Sequence, residues 1–154
     1  TFSKSLFPAL RTAWLVVPLP LVAEFRRQAQ RLACPVPLLW QQTLADFIRE
    51  GHFWRHLKKM RVHYAQRRRW LEEALAANGF QVVEQLGGIQ MVVAVEGDDR
   101  AMAYQARRAG LAVQAVNDWR IANSGHAGLI MSFTNIISQK MAQQQVAALK
   151  QAIK

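Results

Sequence analysis

One apolar stripe constrains this 154-residue chain more than any other feature. Phe53, Leu57, Met60, Tyr64, Leu71 and Leu75 recur at steps of three, four and seven, a spacing that only a helix gathers on one face. Asn78-Gly79 supplies the stop, because glycine takes the left-handed conformation that closes a helix. A helix this long, packed by a single stripe, can bridge two domains. Beyond Gly79 the texture changes. Residues 80–84 and 89–95 read as strands joined around Gly87-Gly88. Asp98-Asp99 caps a helix through Ala109, ended by Gly110. Residues 111–116 and 129–133 are further strands, and Ser138 caps a last helix with Ala142, Val146, Leu149 and Ile153 in a stripe. This order, without regular crossovers, predicts an α+β unit with helices on one face of a mostly antiparallel sheet.

Upstream of the stripe, the apolar run 13–17 reads as a short buried strand stopped by Pro18 and Pro20, since proline cannot donate to a ladder. Residues 21–32 form a helix ended by Pro35 and Pro37. A second helix covers about 38–50, with Leu44, Phe47 and Ile48 on one side and Gly51 as its breaker. No internal repeat and no low-complexity tract interrupts this order.

A chain 51% hydrophobic and 19% charged is not a disordered one. The formal charge of +10 invites a nucleic-acid reading. However, Arg49, Arg55, Lys58, Lys59, Arg61, Arg67, Arg68 and Arg69 concentrate eight of the twenty Lys and Arg in one helical segment. Such a run reads first as a solvated helix face with some arginines engaged in domain or dimer contacts. Cys34 is the only cysteine, so no internal disulfide forms and a reducing cytoplasm is the expected home. The apolar stretch 13–23 is broken by two prolines and too short to span a bilayer. No membrane partner is expected.

The chemistry lies at the start. Thr1-Phe2-Ser3-Lys4-Ser5-Leu6-Phe7-Pro8-Ala9-Leu10-Arg11 places one lysine among hydroxyls, then an arginine, then an apolar run. A lysine that forms an imine must be positioned and partly desolvated, because the free ammonium is no nucleophile. A phosphate needs hydroxyl and amide donors and an arginine fork. This phrase resembles the lysine loop of pyridoxal-phosphate enzymes with the aspartate-aminotransferase fold. Its wording is most similar to the MocR group of bacterial regulators (GntR superfamily), whose phrase runs Gly-Thr-Phe-Ser-Lys-Thr/Ser-Leu-x-Pro-x-Leu-Arg-Leu-Gly-Tyr.

The resemblance extends downstream. Residues 45–61, from Ala45-Asp46-Phe47-Ile48 through Gly51-His52-Phe53 to Met60-Arg61, followed by Tyr64 and Arg67-Arg68, resemble Ala-Asp-Phe-Ile-x-Glu-Gly-His-Phe-x-Arg-His-Leu-Arg-Arg-Met-Arg. Gly87-Gly88-Ile89 is similar to a Gly-Gly-Leu-His-Leu strand, and residues 128–135 to Gly-Leu-Leu-Leu-Gly-Phe-Ala-Asn. The resemblance implies an α/β and α+β fold, a C-terminal fragment of an aspartate aminotransferase-like structure. Residues 1–50 would end the large cofactor domain, 51–78 would form a long connecting helix, and 79–154 the small α+β domain. It implies pyridoxal 5'-phosphate held as a Schiff base on Lys4, with Arg11, Thr1 and Ser3 as phosphate ligands. It further implies a homodimer, an amine or amino-acid effector, and DNA contacted through an N-terminal winged helix-turn-helix. That head, the acid that pairs with the pyridine nitrogen and the ring-stacking aromatic would all precede the lysine. The chain opens on the motif without an initiator methionine, so it reads as the C-terminal part of a longer protein, not expected to hold the cofactor properly alone.

The chain also departs from the family. Leu-Gly-Tyr is Thr12-Ala13-Trp14, the histidine of Gly-Leu-His-Leu is Gln90, and Pro-Leu-Ser-Arg-Tyr-Tyr is Ala115-Val116-Asn117-Asp118-Trp119-Arg120. The fold usually takes the ligand carboxylate on a small-domain arginine. Asp118 occupies the matching position, and Arg120, two residues on, is the candidate. The first expectation is an effector-sensing regulator; the alternatives are a genuine class I/II aminotransferase, a basic module using residues 55–69, and a truncated gene product without function. His52 and His56, four apart, have the spacing of a metal pair but no third ligand, so no metal is expected. Trp40, Trp54, Trp70 and Trp119 read as packing residues or interface anchors, and Cys34, before a proline and without a base, is no nucleophile.

Overall fold

The computed structural model describes residues 1–32, 36–121 and 125–154; Cys34 and Pro35 lie outside them. The chain divides into two compact units, Thr1–Lys59 and Met60–Lys154.

The first unit opens with a turn at residues 3–6 and a 3-10 turn, Pro8–Leu10. Another 3-10 turn, Leu19–Leu21, leads into α1 (Val22–Leu32), and α2 follows (Leu38–Arg49). Gly51 then takes φ +76° and lets α3 (His52–Ala77) begin. Leu44 is buried, with Phe47 and Ile48 half-buried beside it, the side expected from the sequence. The run 13–17 is a correction. Residues 11–18 form no strand, and Trp14, Leu15 and Val16 are exposed. Its apolar residues suit a sheet, but strand geometry persists only where a neighbouring edge accepts its N–H and C=O groups; no ladder forms there among the described residues.

The second unit carries the core. β1 (Gln81–Val83), β2 (Gln90–Ala94), β3 (Gln114–Ala115) and β4 (Gly128–Ser132) make one sheet in the order β1-β2-β4-β3. Every pairing is antiparallel, so the sheet is more uniform than the mostly antiparallel one expected. Val93 pairs with Leu129 and Met91 with Met131. With Ala115 across from Leu129, these side chains share one buried face, as the two-residue period requires. α4 (Asp99–Arg108) and α5 (Gln139–Ala152) bring Ala103, Ala106, Ala142, Val146 and Leu149 into the same cluster as Leu71 and Leu75 of α3. The strand expected over 111–116 shrinks to two residues, because Leu111 N closes onto Ala106 O and Val113 N onto Leu111 O on one side, and the chain enters a 3-10 turn at Val116–Asp118 on the other.

Local chemistry sets the ends of these helices. At the end of α3, Phe80 N donates to Leu75 O (3.0 Å) and Gly79 N to Ala76 O (3.0 Å), with Gly79 at φ +81°. That paired pattern satisfies the last carbonyls. Asp98 accepts from the backbone N–H groups of Arg100 and Ala101 at the start of α4. Ser138 accepts from Met141 N at the start of α5. Both caps were read from the sequence, and each such oxygen answers an N–H that the helix cannot. Among the described residues no helix is long and apolar enough to cross a membrane.

Candidate functional site

Lys4 stands in the turn at residues 3–6, closed by Leu6 N donating to Phe2 O at 2.8 Å. Phe2 anchors that turn. Its side chain is buried and meets the Phe53 ring edge-on at 5.6 Å. Its N–H donates to Thr12 O at 3.0 Å. That bond folds residues 2–12 into a closed loop and sets Arg11 beside the residues that precede Lys4. Thr1 Oγ1 donates to the same Thr12 carbonyl (3.4 Å) and accepts from Ser3 N (3.3 Å). Thr12 is itself buried and donates to Leu10 O at 2.7 Å. The structure therefore brings Thr1, Ser3 and Arg11 into the loop that carries Lys4.

Arg11 is the one non-glycine residue with positive φ among those described, at φ 47°, ψ 30°. Left-handed backbone is costly outside glycine and tends to persist where the surroundings impose it. Here it lies in the loop that the Phe2–Thr12 bond closes, and the arginine is exposed. Lys4 is exposed as well. The turn lies on the surface of its unit among the described residues.

Sequence reasoning missed the residue that holds the turn from below. His56 Nε2 lies 2.9 Å from Ser5 O. A carbonyl only accepts, so Nε2 carries the proton and donates. His52 turns elsewhere, donating from Nε2 to Glu50 (3.1 Å) and accepting at Nδ1 from Arg55 (2.6 Å). The two histidines thus have separate partners. Among the described residues no group of three or more His, Cys, Asp or Glu stands together as a metal site. The spacing Ser5 to His56 is 51 residues, so no local pattern could reveal the pair.

A cavity of about 250 Å³ opens between the lysine loop and α2, lined by Leu6, Phe7, Leu10, Trp40, Thr43, Leu44 and Phe47. Its hydroxyl is already engaged, since Thr43 Oγ1 donates to Leu39 O at 2.8 Å. Of the four tryptophans singled out, Trp70 packs against the core, Trp40 lines this cavity, and Trp54 and Trp119 are exposed.

In the second unit the candidate Arg120 is half-buried, its Nη1 3.5 Å from Asn117 Oδ1. Asp118, which stands where the family phrase has arginine, pairs with Arg100 at 3.1 Å. In the basic segment, Arg67 donates to the Thr134 carbonyl and Arg68 to Glu72, so two of its arginines serve packing within this unit.

A phosphorylated aldehyde calls for an amine and for hydroxyl and guanidinium donors, residue types that this loop carries. Residues 1–132 match the family described as aminotransferase class I and II. The chain belongs to that family. Related chains place it further. It is 46% identical over 69 residues to the probable rhizopine catabolism regulatory protein MocR of Rhizobium meliloti, covering 45% of this chain and 14% of that protein. It is 37% identical over 112 residues to the HTH-type transcriptional regulator TauR of Rhodobacter capsulatus, covering 69% of this chain and 23% of that one. The chain thus spans less than a quarter of the length of these curated relatives. Among solved structures, the multiple substrate aminotransferase of Thermococcus profundus superposes with a TM-score of 0.86 at 23% identity, over 99% of this chain and 39% of that one. The α-aminoadipate aminotransferase LysN of Thermus thermophilus, complexed with N-(5'-phosphopyridoxyl)-L-leucine, gives 0.85 at 20% identity, over 99% and 40%. At those identities the likeness establishes the fold: this chain is a fragment of the aminotransferase fold.

Proposed function

We propose that the chain is the effector-sensing part of a cytoplasmic, DNA-binding transcriptional regulator of the MocR type, in which pyridoxal 5'-phosphate is held by the lysine loop. What supports this reading is the loop closed by the Phe2–Thr12 bond, which carries Ser3, Lys4 and Arg11 and has Thr1 bonded at its mouth. The identity to regulators from Rhizobium and Rhodobacter supports the regulatory rather than the enzymatic outcome. Residues 1–50 then belong to the large cofactor domain, 51–78 form the connecting helix and 79–154 the small domain. The DNA-contacting head lies beyond these 154 residues.

When bound, the cofactor supplies an aldehyde carbon that amines join reversibly and a ring that withdraws electrons from it. Lys4 provides the amine that tethers it. Arg11 matches a phosphate with a planar fork, and Thr1 and Ser3 add hydroxyl donors. The Thr1 hydroxyl gives its one proton to Thr12 O and accepts from Ser3 N, so it has to release the Thr12 carbonyl to donate to a phosphate. His56 keeps the turn seated by its bond to the Ser5 carbonyl. The effector is an amine or amino acid that competes for the tether, and Arg120 takes its carboxylate. Two copies of the full-length protein pair as a homodimer, and the effector biases how the dimer presents its DNA-binding heads.

Borohydride reduction of the full-length protein in the presence of pyridoxal 5'-phosphate, followed by peptide mapping, tests the tether. The label is expected on Lys4 and is expected to vanish in Lys4→Ala. Label confined to Lys58, Lys59 or the lysines of the second unit refutes the reading. Steady keto-acid production from amino donors by the full-length protein refutes the regulatory assignment and leaves the cofactor site standing.

A further inference from the structure

Asp99 is the only charged side chain that is buried among the described residues, at 0% exposure. It lies in the first turn of α4, where free N–H groups and the helix dipole favour a carboxylate. Its Oδ2 accepts from Gly128 N (3.0 Å) and Asn117 N (3.2 Å), and its Oδ1 from Asn117 Nδ2 (3.1 Å). An ionised carboxylate only accepts, so the Asn117 amide must turn its NH₂ inward. Its carbonyl oxygen is then forced outward, and that oxygen is the one 3.5 Å from Arg120 Nη1.

A second feature fixes the same guanidinium. Gly125, at φ +123°, has no side chain, and a Cβ there would stand 2.6 to 2.9 Å from Nη1, Cζ and Nη2 of Arg120. The guanidinium therefore lies against bare backbone, with a neutral oxygen on another side. Among the described residues no carboxylate pairs with it; neighbouring Asp118 is held by Arg100 at 3.1 Å. The result is a half-buried cation oriented by neutral groups, an arrangement that leaves its fork available to an anion.

We infer that Asp99 is a positioning residue: acting through Asn117, it aims Arg120 as a preset receptor for a carboxylate monoanion, in space kept open by Gly125. This rests on the reading that the effector offers a carboxylate to Arg120, and it adds the device that makes such recognition selective. If Asp99 becomes asparagine, the side chain at 99 presents both a donor and an acceptor. The Asn117 amide is then free to turn, placing its own NH₂ against the guanidinium.

The test is an acetate titration of the whole 154-residue chain at fixed ionic strength. It follows the Arg120 Nε–H resonance, assigned by its loss in Arg120→Lys. The wild type is expected to give a saturable shift. Asp99→Asn is expected to weaken acetate about two- to tenfold, the range set by one hydrogen bond, at a temperature where circular dichroism finds it folded. Asn117→Leu leaves Asp99 its two backbone donors and is expected to weaken acetate equally, so it decides the matter if Asp99→Asn does not fold. Gly125→Ala is expected to abolish saturation. Wild-type affinity in both Asp99→Asn and Asn117→Leu overturns the inference, since a purely structural carboxylate would alter melting alone. A wild type that never saturates overturns the carboxylate role of Arg120 itself, while the Lys4 labelling result stands independently.

Discussion

The two units are built on different principles. In Met60–Lys154, Leu71, Leu75, Val93, Leu129, Val146 and Leu149 are all at 0% exposure in one cluster. In Thr1–Lys59 the buried side chains among the described residues are Phe2, Thr12 and Leu44, while Phe7, Trp14, Leu15, Val16, Leu38 and Leu39 are exposed. The second unit encloses a core with its own strands and helices. The first presents the lysine loop, fastened by a few specific bonds, beside exposed apolar side chains. Substitutions should therefore act on packing in one unit and on loop geometry in the other.

The largest expected effect is Leu75→Ala, which should cost about 2–5 kcal/mol in urea unfolding followed by circular dichroism. The same truncation at Leu44 should cost clearly less, and equal losses would break the contrast. Next comes Asp98→Ala, which removes the cap that receives Arg100 N and Ala101 N and should cost about 0.5–2 kcal/mol. His56→Ala removes the bond to the Ser5 carbonyl and should cost about 0.5–1.5 kcal/mol. Its sharper readout is slower borohydride labelling of Lys4, because the turn loses its support. Unchanged labelling would show that Phe2 alone seats the loop.

The smallest effect concerns α1. The Arg27 guanidinium, and secondarily the Gln28 amide, hold the Glu24 carboxyl below the ordinary glutamate range. With the folded pKa below the unfolded one, the contribution is complete above the unfolded value and fades as pH falls through the folded value. Helicity of 22–32 should therefore dip slightly in acid, in a way that Glu24→Gln removes. Because the pair is exposed, salt should erase the dip.

The helices after Gly51 were legible because each announces itself locally. Gly79 stops α3, Asp98 opens α4 and Ser138 opens α5, all within one turn of the residues they serve. The loop around Lys4 was legible as a phrase of residue types. The run 13–17 was misread because apolar content describes what a strand wants, whereas a ladder depends on an edge elsewhere. Strand 111–116 was overextended for a related reason. Asp99 makes bonds 18 and 29 residues away, and no window of sequence contains them.

By itself the sequence determined where the helices after Gly51 stop or open, which stripe of each faces a core, and which amine, hydroxyls and guanidinium share a loop. These properties follow from steric and hydrogen-bonding rules that operate within a few residues of each position. Only the tertiary structure decided that Phe2 joins Thr12 around a left-handed Arg11, that His56 reaches the Ser5 carbonyl, and that a buried carboxylate holds the Asn117 amide. Each of those contacts joins chemistry to a partner whose position is known only once the chain has folded.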